Sequence, residues 1–174
     1  MVNWTRIRHR VIQFFRALGA PLFPVDAAYA AQHLSPNLLR LFNIMDRAER
    51  QHAIMVCRKL EAQGYGDADL LCAALLHDVG KTVSPPYLWE RIFVVLVEFL
   101  KPRLAAQLSR GELKGMRRAF VIRRMHTEWG AALAEQAGAS RRTCELIRRH
   151  HEVLGEAQSA EDIGLAVLQA IDDG

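Results

Sequence analysis

The sequence predicts an all-α fold in one domain. Its 174 residues are 51% hydrophobic, which is enough apolar material for one sizeable core and argues against disorder. Apolar residues recur three and four positions apart along most of the chain, and no segment shows the strict alternation typical of a strand. Capping residues and glycines divide this pattern into segments of helical length.

Two long helices are predicted in the first half of the chain. Ser35 followed by Pro36 is a favourable helix start, and we expect this helix to continue to Gln63. Asp67 can cap the next helix, an apolar run that ends at Gly80. The length of this run, without turn-forming residues, favours a buried helix over a strand.

Residues 1–34 are predicted to form an N-terminal helical extension. Arginine and histidine interrupt the apolar residues of positions 1–20, so this segment is not a secretory signal, and its pattern predicts an amphipathic helix. No segment approaches the roughly 20 apolar residues that span a bilayer. Three cysteines without a CxxC pair indicate reduced thiols. Together these features predict a cytoplasmic protein.

Residues 83–118 predict an inserted helical segment or lid, made of two or three short helices broken near Pro102 and Gly111. The first half of this segment is apolar on nearly all sides. Three interpretations remain open: a lid packed over a site, a homodimer interface, and a membrane-surface segment over residues 86–103. The membrane-surface segment would be anchored by Trp89, Arg91, Lys101 and Arg103.

The C-terminal third predicts three more helices. One runs from about Arg118 to Ala137 and ends at Gly138. Ser140 caps the following segment, and Ser159 opens the last helix. No repeat and no linker long enough for a second domain interrupts the pattern.

Five of the seven histidines lie on the apolar face of a predicted helix, as does Asp78 next to His77. A single inward histidine is usually satisfied by an ordinary hydrogen bond. Five of them on four helices would each need a partner in an apolar interior, and a shared metal site satisfies them together. Imidazole and carboxylate are suitable ligands for Fe, Mn, Co, Ni or Zn. The five are His52, His77, His126, His150 and His151.

The order of these residues resembles the HD-domain superfamily of metal-dependent phosphohydrolases. The sequence segments that carry the resemblance are "ERQHAIMV", "ALLHDVGK", "RRMHTEWGAALAEQAG", "LIRRHHE" and "LQAIDD". The resemblance implies a single HD-domain helical bundle over residues 35–174. His126 and the pair His150-His151 are similar to residues of the subgroup with a two- or three-metal centre, which includes the HD-GYP cyclic-dinucleotide phosphodiesterases.

The resemblance also implies a ligand set around two divalent transition metals. One metal would be held by His52, His77, Asp78 and Asp172. Asp78 would bridge to a second metal, held by His126, His150 and His151. Asp173 is the alternative to Asp172, although the helical pattern and the family both favour Asp172.

The implied reaction is hydrolysis of a nucleotide or another small phosphate ester by a metal-bound hydroxide. Asp78 and Lys81 are the candidate catalytic residues, and Lys81 and Arg149 the candidate substrate contacts. Lys81 can equally be a lysine favoured by a helix dipole, and arginine pairs are often solvated. A net charge of +4 suits an anionic substrate and is too small to indicate nucleic acid.

The chain departs from the HD-GYP pattern after "HHE". Where that subgroup has a glycine-rich segment ending in Gly-Tyr-Pro, this sequence has "VLGEAQSAED". The sequence therefore predicts little or no activity on cyclic dinucleotides. Two other functions remain open: a di-iron HD-type oxygenase and a non-catalytic HD sensor or adaptor.

Overall fold

A computed structural model describes residues 24–154 and 159–172, and over these residues it contains helices and no strands. The prediction of an all-α fold is therefore confirmed for the described part of the chain. The α-helices are α1 (Ala27–His33), α2 (Pro36–Ile44), α3 (Arg47–Ala62), α4 (Ala68–Leu76), α5 (Leu88–Leu100), α6 (Pro102–Leu108), α7 (Arg118–Gln136), α8 (Arg141–Arg149) and α9 (Ala160–Asp172). Short 3-10 helices span Val79–Thr82 and Gly115–Arg117. The amphipathic helix predicted for positions 1–20 lies outside the described residues.

The prediction of one helix from Pro36 to Gln63 was wrong. The helix breaks at Met45, whose backbone is extended and whose side chain is buried. Asp46 then caps α3, because its carboxylate accepts a hydrogen bond from the Ala48 amide at 2.8 Å. Aspartate side chains offer the backbone an alternative to helical hydrogen bonds. Here the hydrogen bond to Asp46 divides the predicted helix into α2 and α3.

Two helix caps in the C-terminal third of the chain were predicted correctly. Gly138 follows α7 with φ of +89°, the left-handed conformation that commonly ends a helix. Ser140 caps α8, since its hydroxyl accepts a hydrogen bond from the Thr143 amide at 3.0 Å.

One large core joins α1 through α4 with α7, α8 and α9. At its centre lies α4, whose residues 70–76 are all buried, as its apolar sequence predicts. Ala30 and Leu34 belong to the same core, although they fall within the stretch assigned to the N-terminal extension. A smaller cluster lies beneath residues 83–118 and contains Val94, Ala105, Ala119 and Phe120.

Helix α4 ends at Leu76 rather than at the predicted Gly80, and the chain continues in a 3-10 helix that packs against α7. Gly80 makes this approach possible. A Cβ atom at this position would lie 1.8 Å from the main-chain oxygen of His126 and 2.6 Å from the main-chain nitrogen of Gly130. The absence of a side chain therefore determines how closely the end of α4 meets the middle of α7.

Substituting Gly80 with alanine is expected to lower the free energy of unfolding by about 3 kcal/mol, because the added methyl group meets backbone that cannot move aside. In a chain of this size, that change lowers the melting temperature by about 6–12 °C, which circular dichroism will detect. Gly66→Ala is the matched control, since nothing lies within 4 Å of the atom it adds. An unchanged melting temperature in Gly80→Ala would contradict the close approach.

Three ion pairs fix α5 to the rest of the domain. Glu90 is buried and pairs with Arg118, whose guanidinium also donates to the Pro85 carbonyl at 2.8 Å. The other two are Arg91–Glu49 at 2.6 Å and Arg123–Glu98 at 3.4 Å. Across the described ranges, no helix has the length and apolar composition needed to cross a membrane.

Candidate metal centre

All seven residues predicted as metal ligands meet at one place in the fold. Asp78 lies between the end of α4 and the 3-10 helix that packs on α7, and the histidines come from four different helices or their ends. Two groups of three form, in each of which the candidate ligand atoms lie within 4.8 Å of one another. They are His52, His77 and Asp172 in the first group, and His126, His150 and His151 in the second.

The first group gathers around the carboxylate of Asp172. Its Oδ1 atom lies 2.6 Å from Nε2 of His52 and 3.4 Å from Nε2 of His77. The last turn of α9 therefore brings Asp172 to the histidines of α3 and α4, from the far end of the chain. Asp173, the alternative considered from the sequence, lies outside the described residues.

Asp78 stands between the two groups, and one of its oxygens faces each of them. Oδ2 lies 3.4 Å from Nε2 of His77, and Oδ1 lies 3.5 Å from Nε2 of His126. Asp78 is therefore within reach of both histidine groups. Because Gly80 draws this segment onto α7, the same close packing that places Gly80 also places Asp78 beside His126.

Three buried histidines are held in a fixed orientation by their backbone contacts. In each of them Nδ1 donates to a backbone carbonyl one turn earlier, which leaves Nε2 as the free ring nitrogen. Each of these Nε2 atoms is buried and has no hydrogen-bond partner among the described residues. A divalent metal would satisfy all three, so the donor set fits one. The donor–carbonyl pairs are His77–Ala74 at 2.9 Å, His126–Ile122 at 3.1 Å and His150–Ile147 at 2.7 Å.

Both carboxylates are held in the charged form that metal binding needs. Burial opposes the charge on Asp78, but the ammonium of Lys81 and the neighbouring His77 outweigh it and hold the pKa well below the ordinary value. Burial is likewise outweighed at Asp172, where His77 and His52 lower the pKa. Two buried negative charges therefore face the histidines at neutral pH.

The histidines divide into two electrostatic classes. Burial lowers the pKa of His126, and burial together with His77 lowers the pKa of His150 to about 4, so both are neutral at pH 7. His77 behaves in the opposite way, since the carboxylates of Asp78 and Asp172 outweigh its burial and raise its pKa. Without metal, the proton on His77 is the positive charge between the two carboxylates.

His151 differs from the expectation that all five histidines face the core, because solvent reaches it. Its Nε2 atom accepts a hydrogen bond from Nη1 of Arg123 at 2.9 Å. Arg123 also pairs with Glu98 of α5, so the insert is connected to the metal centre through two side chains. Sequence reasoning did not single out this role of Arg123.

A second contact that sequence reasoning missed involves Glu49. This buried carboxylate lies 3.2 Å from the ammonium of Lys81, which in turn donates to Oδ2 of Asp78 at 2.6 Å. Arg91 of α5 pairs with the other oxygen of Glu49. Glu49 precedes His52 by three residues and shares its helix face, and this spacing was a signal that could have identified it.

A surface cavity of about 730 Å³ lies beside His151, between α6, α7 and α8. Its volume is in the range of small-molecule sites. Four arginines line it, and three of them pair with carboxylates. The fourth, Arg124, donates from Nε to the backbone carbonyl of Ser109 at 2.9 Å. The four are Arg123, Arg124, Arg148 and Arg149.

The two predicted substrate contacts occupy different places. Arg149 lines the cavity and pairs with Glu152 at 2.5 Å and Asp162 at 3.1 Å. Lys81 pairs with Asp78 and Glu49 and is not among the residues that line the cavity. Their roles toward a substrate remain predictions.

Comparison with known proteins agrees with this geometry. A model of the HD domain family matches residues 50–173, which include all seven candidate ligands. No curated protein and no solved structure matches the chain significantly. Assignment to the HD-GYP subgroup remains a prediction, whereas the match over most of the chain establishes the wider family. The chain belongs to the HD domain family, whose members are mostly metal-dependent hydrolases.

Proposed function

We propose that this protein is a metal-dependent phosphohydrolase that acts on a small phosphate ester, such as a nucleotide. The observation that carries the proposal is the position of Asp78, with one carboxylate oxygen toward each histidine group. A single structural metal would need only one of these groups. Two groups that share a carboxylate match the two-metal sites that hydrolyse phosphate esters.

The proposed ligands are the seven residues predicted from the sequence. Divalent metal ions at such a site act as Lewis acids that activate water and neutralise charge on phosphoryl oxygens. Asp78 is the shared ligand, and the neighbouring ammonium of Lys81 keeps it ionised. The backbone carbonyls that accept from Nδ1 hold His77, His126 and His150 in one orientation each.

Substrate recognition is assigned to the cavity beside His151. Its lining carries four arginines and four glutamates, whose charges largely offset one another. Arg124, which donates to the backbone carbonyl of Ser109, is a candidate contact to the anionic portion of a phosphate ester. Arg149 remains a candidate contact there, alongside Arg124. Lys81 uses two of its three ammonium hydrogens on Asp78 and Glu49, which leaves one to donate to a phosphate.

The function is tested by elemental analysis of protein purified without chelator, followed by a substrate panel with Mn²⁺ and with Fe²⁺. The panel contains phosphate monoesters, nucleotides, dinucleoside polyphosphates and cyclic di-GMP. We expect about two metals per chain, hydrolysis of a small phosphate ester, and little or no turnover of cyclic di-GMP. Oxygen consumption by an iron-loaded protein without phosphate release would favour the oxygenase instead, and bound metal without any turnover would favour a sensor.

The role of the cavity gives a further prediction. Arg124→Ala is expected to raise KM for the best substrate by about tenfold or more with little change in kcat, because a charge-assisted contact to the substrate is lost. Arg141→Ala is the control, since Arg141 is exposed and is not among the cavity-lining residues. Equal KM values for the two variants would remove Arg124 from the binding site.

A further inference from the structure

The outward face of α5 is unusually apolar for a protein surface. Six large apolar side chains on this helix are between 40% and 69% exposed. Isolated exposed apolar residues are common, but a contiguous set of this size marks an interaction surface. We call this set the α5 stripe, and it consists of Leu88, Trp89, Ile92, Leu96, Phe99 and Leu100.

The α5 stripe covers one side of its helix. At about 100° per residue, the six positions fall within an arc of about 120°. Glu90 and Val94 lie on the opposite side and are buried toward α7, where Glu90 pairs with Arg118. The orientation of α5 is therefore fixed by its inner face, and the α5 stripe points away from the domain.

A basic rim follows the α5 stripe along the chain, beginning at the residue after Leu100. From residue 101 to residue 117 the chain carries five basic residues, all exposed, and one acidic residue, Glu112. Several of the cations have an exposed apolar residue as their neighbour in sequence, as at Leu104, Leu113 and Met116. The basic rim consists of Lys101, Arg103, Arg110, Lys114 and Arg117.

The charge of the basic rim discriminates among the possible partners of the α5 stripe. A second copy docked symmetrically would bring one basic rim against another. Residues 1–23, which lie outside the described residues, carry four arginines and no acidic residue, so they too would place positive charge beside the basic rim. An anionic lipid surface is complementary both to the apolar residues and to the cations.

We propose that the α5 stripe and the basic rim bind the surface of a lipid bilayer that contains anionic lipids. Apolar side chains of the α5 stripe enter the boundary between headgroups and acyl chains, while the cations of the basic rim contact the headgroups. Trp89 has the amphipathic ring favoured at that boundary. This inference does not depend on the proposed catalytic activity.

The test is co-sedimentation of the chain of 174 residues with two kinds of vesicle, phosphatidylcholine alone and phosphatidylcholine with about 30% phosphatidylglycerol. We expect stronger binding to the anionic vesicles, weakened when salt is raised from about 0.1 M to about 0.5 M. Ile92→Gln with Leu96→Gln should reduce binding to anionic vesicles by about tenfold or more. Lys101→Gln with Arg103→Gln should also reduce binding to anionic vesicles by about tenfold or more and should weaken the preference for anionic lipid, with the other three rim cations still present.

The matched control replaces Arg40 and Ile44 of α2 with glutamine, which removes one exposed cation and one exposed apolar side chain away from the α5 stripe. Its vesicle binding should be unchanged. All substituted residues are exposed, and thermal melting of each variant checks the fold. Equal vesicle binding by the wild type and the Ile92→Gln, Leu96→Gln variant would overturn the proposal.

Two further outcomes would assign the surface to another partner. Light scattering that shows a dimer, lost in the Ile92→Gln, Leu96→Gln variant, would identify a second copy. Faster hydrogen exchange in peptides from residues 1–23 of that variant, without vesicle binding by the wild type, would identify the N-terminal segment. Either result replaces the bilayer as the partner.

Discussion

Substituting Asp78 with alanine is expected to remove bound metal and to lower metal-dependent turnover by about a thousandfold. The substitution deletes the only described carboxylate that faces both histidine groups, with oxygens 3.4 Å from His77 and 3.5 Å from His126. Both proposed metals lose a ligand at once. Metal content per chain and kcat on the best substrate are the two measurements.

The same substitution should also lower the free energy of unfolding of the metal-free protein by about 3 kcal/mol, because it removes one partner of a buried charge pair. Asp78→Asn separates the two effects, since it keeps the volume of the side chain and loses the charge. We expect Asp78→Asn to recover part of the stability and none of the metal. Full metal content and turnover in Asp78→Ala would show that Asp78 is not the bridge.

Restoring metal to chelator-treated protein is expected to stabilise the fold. Three buried Nε2 atoms without hydrogen-bond partners acquire one, and the metals replace the proton on His77 as the positive charge that faces the two buried carboxylates. At a free metal concentration about 100 times Kd, the free energy of unfolding should rise by about 2.7 kcal/mol. The melting temperature should then rise by about 5–10 °C, measured by circular dichroism without reference to activity.

The two histidine groups can be separated in the same experiment. His126→Gln should leave one metal per chain and retain part of the stabilisation, because only the second group loses a ligand. His33→Gln is the control, since His33 pairs with Glu61 outside the site. Ca²⁺ should stabilise little, because it prefers oxygen ligands. Equal stabilisation by Ca²⁺ and by transition metals would contradict a histidine-based site.

The positions of most helices followed from local sequence, and the exceptions have local causes. Ser140 and Gly138 were identified correctly because the chemistry of a cap depends on its immediate neighbours. The break at Met45 was missed because the apolar period continues across it, while the cap at Asp46 divides the helix. The apolar period alone does not reveal where a side-chain cap replaces the hydrogen bonds that would continue a helix.

The all-α class was determined by the sequence itself, because helical spacing is a local property of the chain. The seven candidate ligands were predicted from the inward-facing histidines together with the resemblance to the HD superfamily. Which ligands share a group was decided by tertiary packing, and above all by the approach of Gly80 to α7. The contacts of Glu49 and Arg123 with the site were likewise a tertiary result, since each joins residues more than 25 positions apart. Distances between helices depend on how side chains interlock across the core. Spacing along one helix carries no information about that interlocking.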